Sequence, residues 1–413
     1  MQVKDTTKST FFQLFSPLLT FFKHRQSKDV ISDRYIKKMT TLQLIELLAC
    51  SQLEQHPGLR DISAMLSNQE FSRVLSLDSI SHSQISRRLR DLSIGDTELI
   101  FHGMVMQIIK EIGSVNTSKL LGQLYLIDAS TITLCLSRYP WAVFRKSKGG
   151  VKLHLRLRFC DEVSIPERAI ITPAKPADKT QMDNLVVEDQ EAINVFDRGY
   201  VDYDKFDEFC LKGIRFVTRL KGNAIIEVLD EFLTTDTSIR KDQLVVLGKG
   251  FKRMKRPLRL VETEDSEGNP VVIVTNDLNL TASEISSIFR HRWQIELFFK
   301  WIKQHLKIKH FYGLSPAAVE NQIFIALITY CLGLLLKLKT GAQGSLLIIT
   351  RLLKNCICMP FAAFIKLLKR KASRISNGRR KLRDKLIYQF TVEQVMSGDL
   401  DHLYDLVYDP LML

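Results

Sequence analysis

Residues 281–313 read TASEISSIFRHRWQIELFFKWIKQHLKIKHFYG and carry the best-marked helix of the chain. Thr281 with Glu284 three residues on forms a capping box, and Leu280 and Ile285 flank it as a hydrophobic staple, so local chemistry fixes the start. At the far end Lys307, Lys309 and His310 suit the negative pole of the helix dipole, Gly313 suits a left-handed cap, and Pro316 forbids continuation. The expectation is one continuous helix. At about 100° per residue Phe289, Arg292, Glu296 and Lys303 then fall within about 60° of one line. Ile285, Ile288, Ile295, Phe299, Ile302 and Leu306 make an apolar stripe beside it that should face a core. Glu296 is thus a lone carboxylate at the rim of a buried face, with cations one and two turns away. Two readings fit: a carboxylate held for catalysis, or an ordinary surface ladder Arg292–Glu296–Lys303.

Upstream, two short apolar runs each end in an aspartate. Leu124-Tyr125-Leu126-Ile127 leads to Asp128, and Ile193-Asn194-Val195-Phe196 leads to Asp197-Arg198-Gly199-Tyr200. Continuous apolar runs of this length suit strands buried on both faces, which puts both aspartates at the carboxyl edge of a sheet, where open α/β folds place their sites. One Asp after a strand is ordinarily a turn or cap residue. Two of them, followed by a helix with a carboxylate at the rim of its apolar face, point to a shared site. Three converging carboxylates would repel one another and be forced partly protonated unless cations intervene. Divalent metal resolves that conflict: two Mg²⁺ ions, for which Mn²⁺ can substitute, roughly 3.5–4 Å apart on oxygen ligands, serve phosphodiester cleavage and strand transfer alike.

Between the aspartates, residues 151–159 alternate strictly, with Lys152, His154, Arg156 and Arg158 on one face. That face is either the wall of a phosphate-binding groove or an edge strand protected by charge. A strand over 168–172, a helix near 181–192, a helix over 203–212 and a strand over 214–219 complete a mixed sheet with a parallel core. Asp161, Glu162, Asp178, Asp183, Asp202 and Asp204 read as solvated loop and cap residues. Residues 221–279 break the rhythm, with strand-like runs at 244–247, 258–261 and 271–274, a turn at 266–270, and a basic loop at 249–256 that includes Lys252 and Arg253.

Residues 1–35 are polar and basic around an apolar patch at 11–22, which suggests a loosely attached arm. From 40 to 112 the period is helical. In 81–92, Ser and Gln with Arg87, Arg88 and Arg90 suit either helix-turn-helix recognition of DNA or a solvated amphipathic helix. The apolar run 323–338 falls short of the roughly 18–20 residues that span a bilayer and is read as a buried helix. Residues 366–385 carry ten Lys/Arg against Asp384 alone, whereas 391–413 carry five acids and no Lys or Arg. The basic run is a candidate phosphate-contacting arm.

Over the whole chain, 59 Lys+Arg against 45 Asp+Glu give a net charge of +14, a balance that favours a polyanionic partner. Nucleic acid, ribosome and anionic membrane all satisfy that number. Seven scattered cysteines without CxxC or zinc spacing read as reduced thiols of a cytosolic protein.

Taken together, Leu126-Ile127-Asp128, Asp197-Arg198-Gly199-Tyr200 and the spacing Tyr-x2-Arg-x3-Glu-x6-Lys, met here by Phe289, Arg292, Glu296 and Lys303, resemble a known family. The chain resembles bacterial insertion-sequence DDE transposases of the insertion-sequence-four group. The resemblance covers about 124–313 specifically and the N-terminal helices more loosely. It implies an α/β, RNase H-like (retroviral-integrase-like) mixed-sheet catalytic domain with a β-strand insertion, flanked by an N-terminal helical domain and C-terminal helices. The implied division is a basic arm at 1–39, a helical DNA-binding domain at 40–121, catalytic parts at 122–220 and 281–340 around the insertion at 221–280, and a helical C-terminal region at 341–413. By the same resemblance Asp128, Asp197 and Glu296 are the metal-binding triad, and Arg292 and Lys303 hold transposon-end DNA. Lys152, His154, Arg198, Lys252, Arg253, Arg87 and Arg88 are candidate DNA contacts. The implied partners are double-stranded DNA, at terminal inverted repeats and target, and a second copy of the chain. The implied location is cytoplasmic, at the nucleoid. Phe289 departs from the family's Tyr, keeping an aromatic face but losing a hydroxyl. A catalytically silent, transposase-derived DNA-binding protein is the alternative, and all three acids being present weighs against it.

Overall fold

The computed structural model describes residues 9–25, 33, 36–113, 123–160, 163–234, 236–265, 268–306, 308–342 and 345–370. Most of the expected basic C-terminal arm, the acidic tail, Asp161 and Glu162 lie outside the described residues. Two compact units divide the chain, one made of residues 1–116 and 300–413, the other of 117–299.

The second unit is built on one ten-stranded sheet. β1 (Gln123–Leu134) pairs antiparallel with β3 (Lys148–Cys160), and β3 pairs antiparallel with β4 (Val163–Pro173) and with the short β2 (Val143–Arg145). On its other side β1 runs parallel to β5 (Ala192–Phe196), which runs parallel to β6 (Arg215–Arg219). The order β4-β3-β1-β5-β6, with only β3 reversed, is that of the RNase H-like fold expected from the sequence. β3 is therefore an interior strand and not an edge, which removes one of the two readings of its basic face.

Beyond β6 the sheet does not stop. β10 (Pro270–Thr275) pairs antiparallel with β6, and β9 (Leu258–Glu264), β8 (Ile239–Leu247) and β7 (Ile226–Glu231) follow as an antiparallel meander. The stretch after β6 thus extends the same sheet. β7, whose residues are exposed throughout, carries no sequence alternation to announce it.

The core of this unit is aromatic. α8 (Tyr203–Lys212), ended by Gly213 in the left-handed region at φ 69°, brings Phe206 onto Phe216 of β6, their rings stacked 4.6 Å apart, while Phe196 of β5 stacks on Phe216 at 5.8 Å. All five residues of β5 are buried. The helix expected over 181–192 shrinks to a 3₁₀ turn at 178–181 and the single turn α7 (Met182–Leu185). Buried Asn194 accounts for the stretch that follows, because its side chain accepts from the Val187 amide and donates to the Val187 carbonyl, claiming backbone groups that a helix would need.

The first unit is helical: α1 (Thr10–Arg25), α2 (Thr41–Glu54), α3 (Leu59–Ala64), α4 (Gln69–Leu75), α5 (His82–Asp91), α6 (Ile94–Gly113), α11 (Pro316–Thr340), α12 (Leu346–Cys356) and α13 (Phe361–Leu368). α1 lies in the stretch read as a loose arm, yet Phe11, Leu14, Phe15, Leu18 and Phe21 are buried, and Thr10 and Phe11 donate backbone bonds to Met359 and Ile357. α11 is the one described helix long and apolar enough to cross a membrane, and it is buried along most of its length, packed by α6, α2 and α5. That is the buried helix expected from 323–338, extended N-terminally by a Ser315 cap and Pro316 in the first turn.

Candidate active site

The two strand-end aspartates are brought together by register. Ile127 pairs with Phe196 at the end of the β1–β5 parallel ladder, so Asp128 and Asp197 are the next residues on neighbouring chains, which run roughly 4.8 Å apart. Asp128 is not at the end of its strand, as the sequence suggested. β1 continues to Leu134, paired with β3 alone, and Asp128 stands where its parallel partner leaves the sheet. Asp197 ends β5 and opens a 3₁₀ turn over Arg198–Tyr200.

The helix that supplies Glu296 is two helices. α9 (Ala282–His291) begins with the expected capping box, the Thr281 side chain accepting from the Glu284 amide and Glu284 accepting from Thr281. α10 (Trp293–His305) follows after Arg292, whose amide bonds Phe289 three residues back rather than four. The tightening breaks the ideal 100° stripe assumed from sequence. The helix also ends at His305, short of Gly313. Gly313 instead allows close packing, since a Cβ there would stand 2.4 Å from that of Ala318.

Arg292 is the hub. Its Nη2 lies 2.5 Å from Glu296 Oε1, and its Nη1 lies 3.8 Å from Asp128 Oδ2. The Phe289 ring sits 5.6 Å from its Cζ, within cation–π range. Burial opposes the guanidinium's charge most strongly, but the pull of Glu296, Asp128 and Asp197 together outweighs it and raises the pKa. Burial pushes Asp128 up to about 7 against the pull of Arg292, with Glu296 and Asp197 adding to the rise and the Ala129 amide, 2.7 Å away, opposing it. Glu296 is raised for the same first reason, again opposed by Arg292 and reinforced by Asp197. Asp128 and Glu296 nonetheless keep 21% and 19% of their side chains accessible, so a ligand can reach them.

Among the described residues no three His, Cys, Asp or Glu side chains are gathered closely enough to hold one ion. The donor set still fits a hard cation: carboxylate oxygens, no thiolate or imidazole, and two acids disfavoured as anions until positive charge is added. Arg292 stands among them as that charge.

Tyr200 closes the 3₁₀ turn that Asp197 opens. Its hydroxyl is buried with no hydrogen-bond partner, and its pKa is raised by burial first and then by Asp128, Asp178 and Asp197. Asp178, read as a solvated cap, instead pairs with Lys152 at 2.8 Å and lies 3.7 Å from the position of a Cβ on Gly199. No pattern in the sequence links Asp178 to Lys152 and Gly199, which stand on other elements of the fold.

The other candidate contacts divide by exposure. His154 is not a surface cation: it is 1% exposed, Nε2 bonds Thr172 Oγ1 at 2.9 Å, and burial lowers its pKa to about 4, with Asp178 opposing and Lys152 assisting. Arg156 is bonded to Glu167 and the Leu185 carbonyl, so the basic face of β3 is largely self-neutralised. Arg88 is tied to Met39, Asp33 and Thr41 within the helical unit. Arg87, Arg198, Lys252 and Arg253 are exposed, Arg253 in a pair with Glu227. Phe289 is half-buried, and Lys303 lies partly exposed on the last turn of α10, in the first unit.

The chain is also similar in sequence to known proteins. The chain is 31% identical over 212 residues to the "Probable transposase for insertion sequence element IS5377" of Geobacillus stearothermophilus, an overlap of 51% of this chain and 55% of that one. It is 24% identical over 289 residues, 68% of this chain and 79% of the other, to a Synechocystis protein named as a transposase for insertion sequence element IS4SA. This chain thus spans little more than half the length of the first of these relatives. Among solved structures it is similar to a piggyBac transposase synaptic complex with hairpin DNA, at 11% identity and a TM-score of 0.41, over 94% of this chain and 84% of that one. The sequence model of the transposase DDE domain matches residues 119–332, just over half of the chain and all three acids, and the chain belongs to that family.

Proposed function

We propose that this chain is an insertion-sequence transposase that binds the terminal inverted repeats of its element, cleaves the DNA there and joins it to a target, with Asp128, Asp197 and Glu296 as the catalytic triad. The observation that carries the reading is the meeting of three half-buried acids around one guanidinium: two at the end of the β1–β5 parallel ladder, the third one turn into α10.

Asp128, Asp197 and Glu296 would hold two Mg²⁺ ions, with Mn²⁺ able to substitute. When bound, the ions supply activation of water or a 3′-hydroxyl on one side of the phosphodiester and stabilisation of the leaving oxygen on the other. The chain's own residues do the rest. The aromatic packing of Phe196, Phe206 and Phe216 supports β5, and the β1–β5 ladder holds Asp128 beside Asp197, the kind of positioning that in-line chemistry demands. Arg292 and Lys303 offer positive charge to a phosphate near the cut, and Phe289 offers a ring face to an unstacked base. Arg198, beside Asp197, and Lys252 on the basic loop add exposed charge for the DNA backbone, with Arg87 a further candidate on α5. The working form is a homodimer on DNA, acting at the nucleoid.

The test is cleavage of a duplex carrying the element's own terminal repeat, with and without Mg²⁺ at low salt. Asp128→Asn, Asp197→Asn and Glu296→Gln are each expected to lower cleavage by at least about 10³-fold, the scale of losing one strong electrostatic stabiliser of the transition state, while end binding stays within a few-fold of wild type. Retained cleavage, or loss of binding in all three, would refute the assignment. Tight binding without cleavage by wild type under Mg²⁺ and Mn²⁺ alike would favour the silent DNA-binding descendant, a reading supported by the Arg292 guanidinium already standing on two of the acids.

A further inference from the structure

Arg292 faces inward, onto the acids, in a chain whose function would have it face DNA. We infer that Arg292 is an internal counter-ion: it holds the place of positive charge in the metal-free triad and is handed to a DNA phosphate when metal binds. This rests on the reading of Asp128, Asp197 and Glu296 as metal ligands.

Three half-buried carboxylates without a cation would repel one another. The guanidinium prevents this, since all three acids act on it and it reaches two of them directly, Glu296 at 2.5 Å and Asp128 at 3.8 Å. A divalent ion on the same oxygens brings a second positive charge to within a few ångströms of the first, and the two exclude each other.

The hold on Arg292 is also incomplete in a way that suits release. A guanidinium has five donors and is best fixed by a bidentate fork. Here one short bond reaches Glu296, the contact to Asp128 exceeds hydrogen-bond distance, and Nε is buried without a partner. Charge holds the side chain more than geometry does. The Phe289 ring offers the departing guanidinium a face.

Metal and DNA then assist each other through one side chain: ions at the acids free Arg292 for a phosphate, and a phosphate that draws Arg292 away opens the acids to ions. Linkage makes the coupling reciprocal.

The test reads metal binding and not turnover. Mn²⁺ alone is titrated into the full chain without DNA, free ion being followed by electron paramagnetic resonance, for wild type, Arg292→Gln, Arg292→Lys and Asp128→Asn. Arg292→Gln is expected to bind Mn²⁺ at least about tenfold more tightly than wild type, because breaking a buried charge pair no longer opposes it. Its melting temperature without metal should fall and should rise more on adding Mn²⁺. Arg292→Lys should lie between. Asp128→Asn should weaken binding. If Asp128→Asn weakens Mn²⁺ binding while Arg292→Gln matches wild type or binds less tightly, the counter-ion role is overturned and the triad stands. If neither substitution changes Mn²⁺ affinity, the ligand assignment itself fails, and this inference with it. Should Arg292→Gln not fold, by circular dichroism, a Mg²⁺ titration of wild type followed by arginine ¹⁵Nε resonances decides. The Arg292 signal, identified by its absence in Arg292→Lys, must move as Mg²⁺ binds, and a static signal overturns the proposal.

Discussion

His154 and Glu46 are each buried, and burial acts on them with opposite sign. His154, on β3, has its pKa lowered to about 4, so the native state stays neutral while the unfolded chain takes up a proton near pH 6.5. Its contribution is fully present above pH 6.5 and is lost as pH falls to 4. Glu46, on α2, has its pKa raised to about 8 by burial, so the native state keeps a proton that the unfolded chain releases from pH 4.5 upward. Its contribution is fully present below pH 4.5 and is lost as pH rises through 8. We expect His154→Gln to flatten the acid limb of the stability profile between pH 6.5 and 4. Glu46→Gln should raise stability at pH 8 to 9, each by on the order of 2 kcal/mol. Urea midpoints measured from pH 4 to 9 check both, and parallel profiles for wild type and variant would show the group is hydrated in solution. Neither state was legible in the sequence. A histidine between Lys152 and Arg156 looks like part of a cationic face, and only the β4 strand laid beside it, with Ile170 opposite and Thr172 hydrogen-bonded to its ring, makes it a core residue.

At the scale of elements, local chemistry was readable where it was self-contained. The capping box at Thr281 and the bounds of α8 follow from residues within a few positions, and they stand where the sequence put them. The collapse of the helix after Leu185 depends on the Asn194 side chain, and the burial of α1 on Ile357 and Met359 far along the chain, and periodicity holds no record of either. Asn321 illustrates such a partner. Buried on α11, it donates to the Leu89 and Leu92 carbonyls at the end of α5, at 3.1 and 2.8 Å, and accepts from Thr97 Oγ1 at 2.7 Å on α6. One amide thereby closes the turn between α5 and α6. Asn321→Leu leaves those three groups without these bonds and is expected to cost about 2–4 kcal/mol, read as a lowered urea midpoint. A loss under 1 kcal/mol would mean water replaces the amide. The substitution lies in the helical unit, so it separates stability from chemistry. At temperatures where the variant is folded, Mn²⁺ affinity should match wild type.

For the whole molecule, the charge of +14 was the broadest signal in the sequence and the least specific, since it could not say which cations are free to meet a polyanion. The structure sorts them. Lys152 is bonded to Asp178 and the Pro176 carbonyl, and Arg88 to Asp33, Thr41 and Met39, so these serve the fold. Arg198 and Lys252 are exposed. Phosphate contacts release counterions, so the logarithm of the DNA-binding constant should fall linearly with the logarithm of salt concentration, by about 0.9 for each phosphate neutralised. We therefore expect Arg198→Ala and Lys252→Ala each to lower that slope by about 0.9 for terminal-repeat and unrelated duplexes alike, which is how a backbone contact differs from a base contact. Lys152→Ala should leave the slope unchanged and lower the melting temperature instead, because it strands Asp178 without its cation. Fluorescence anisotropy across 50 to 200 mM salt separates the two classes. A slope unaltered by Arg198→Ala or Lys252→Ala would remove that residue from the DNA path, and a slope lowered by Lys152→Ala would mean that DNA takes Lys152 from Asp178 on binding.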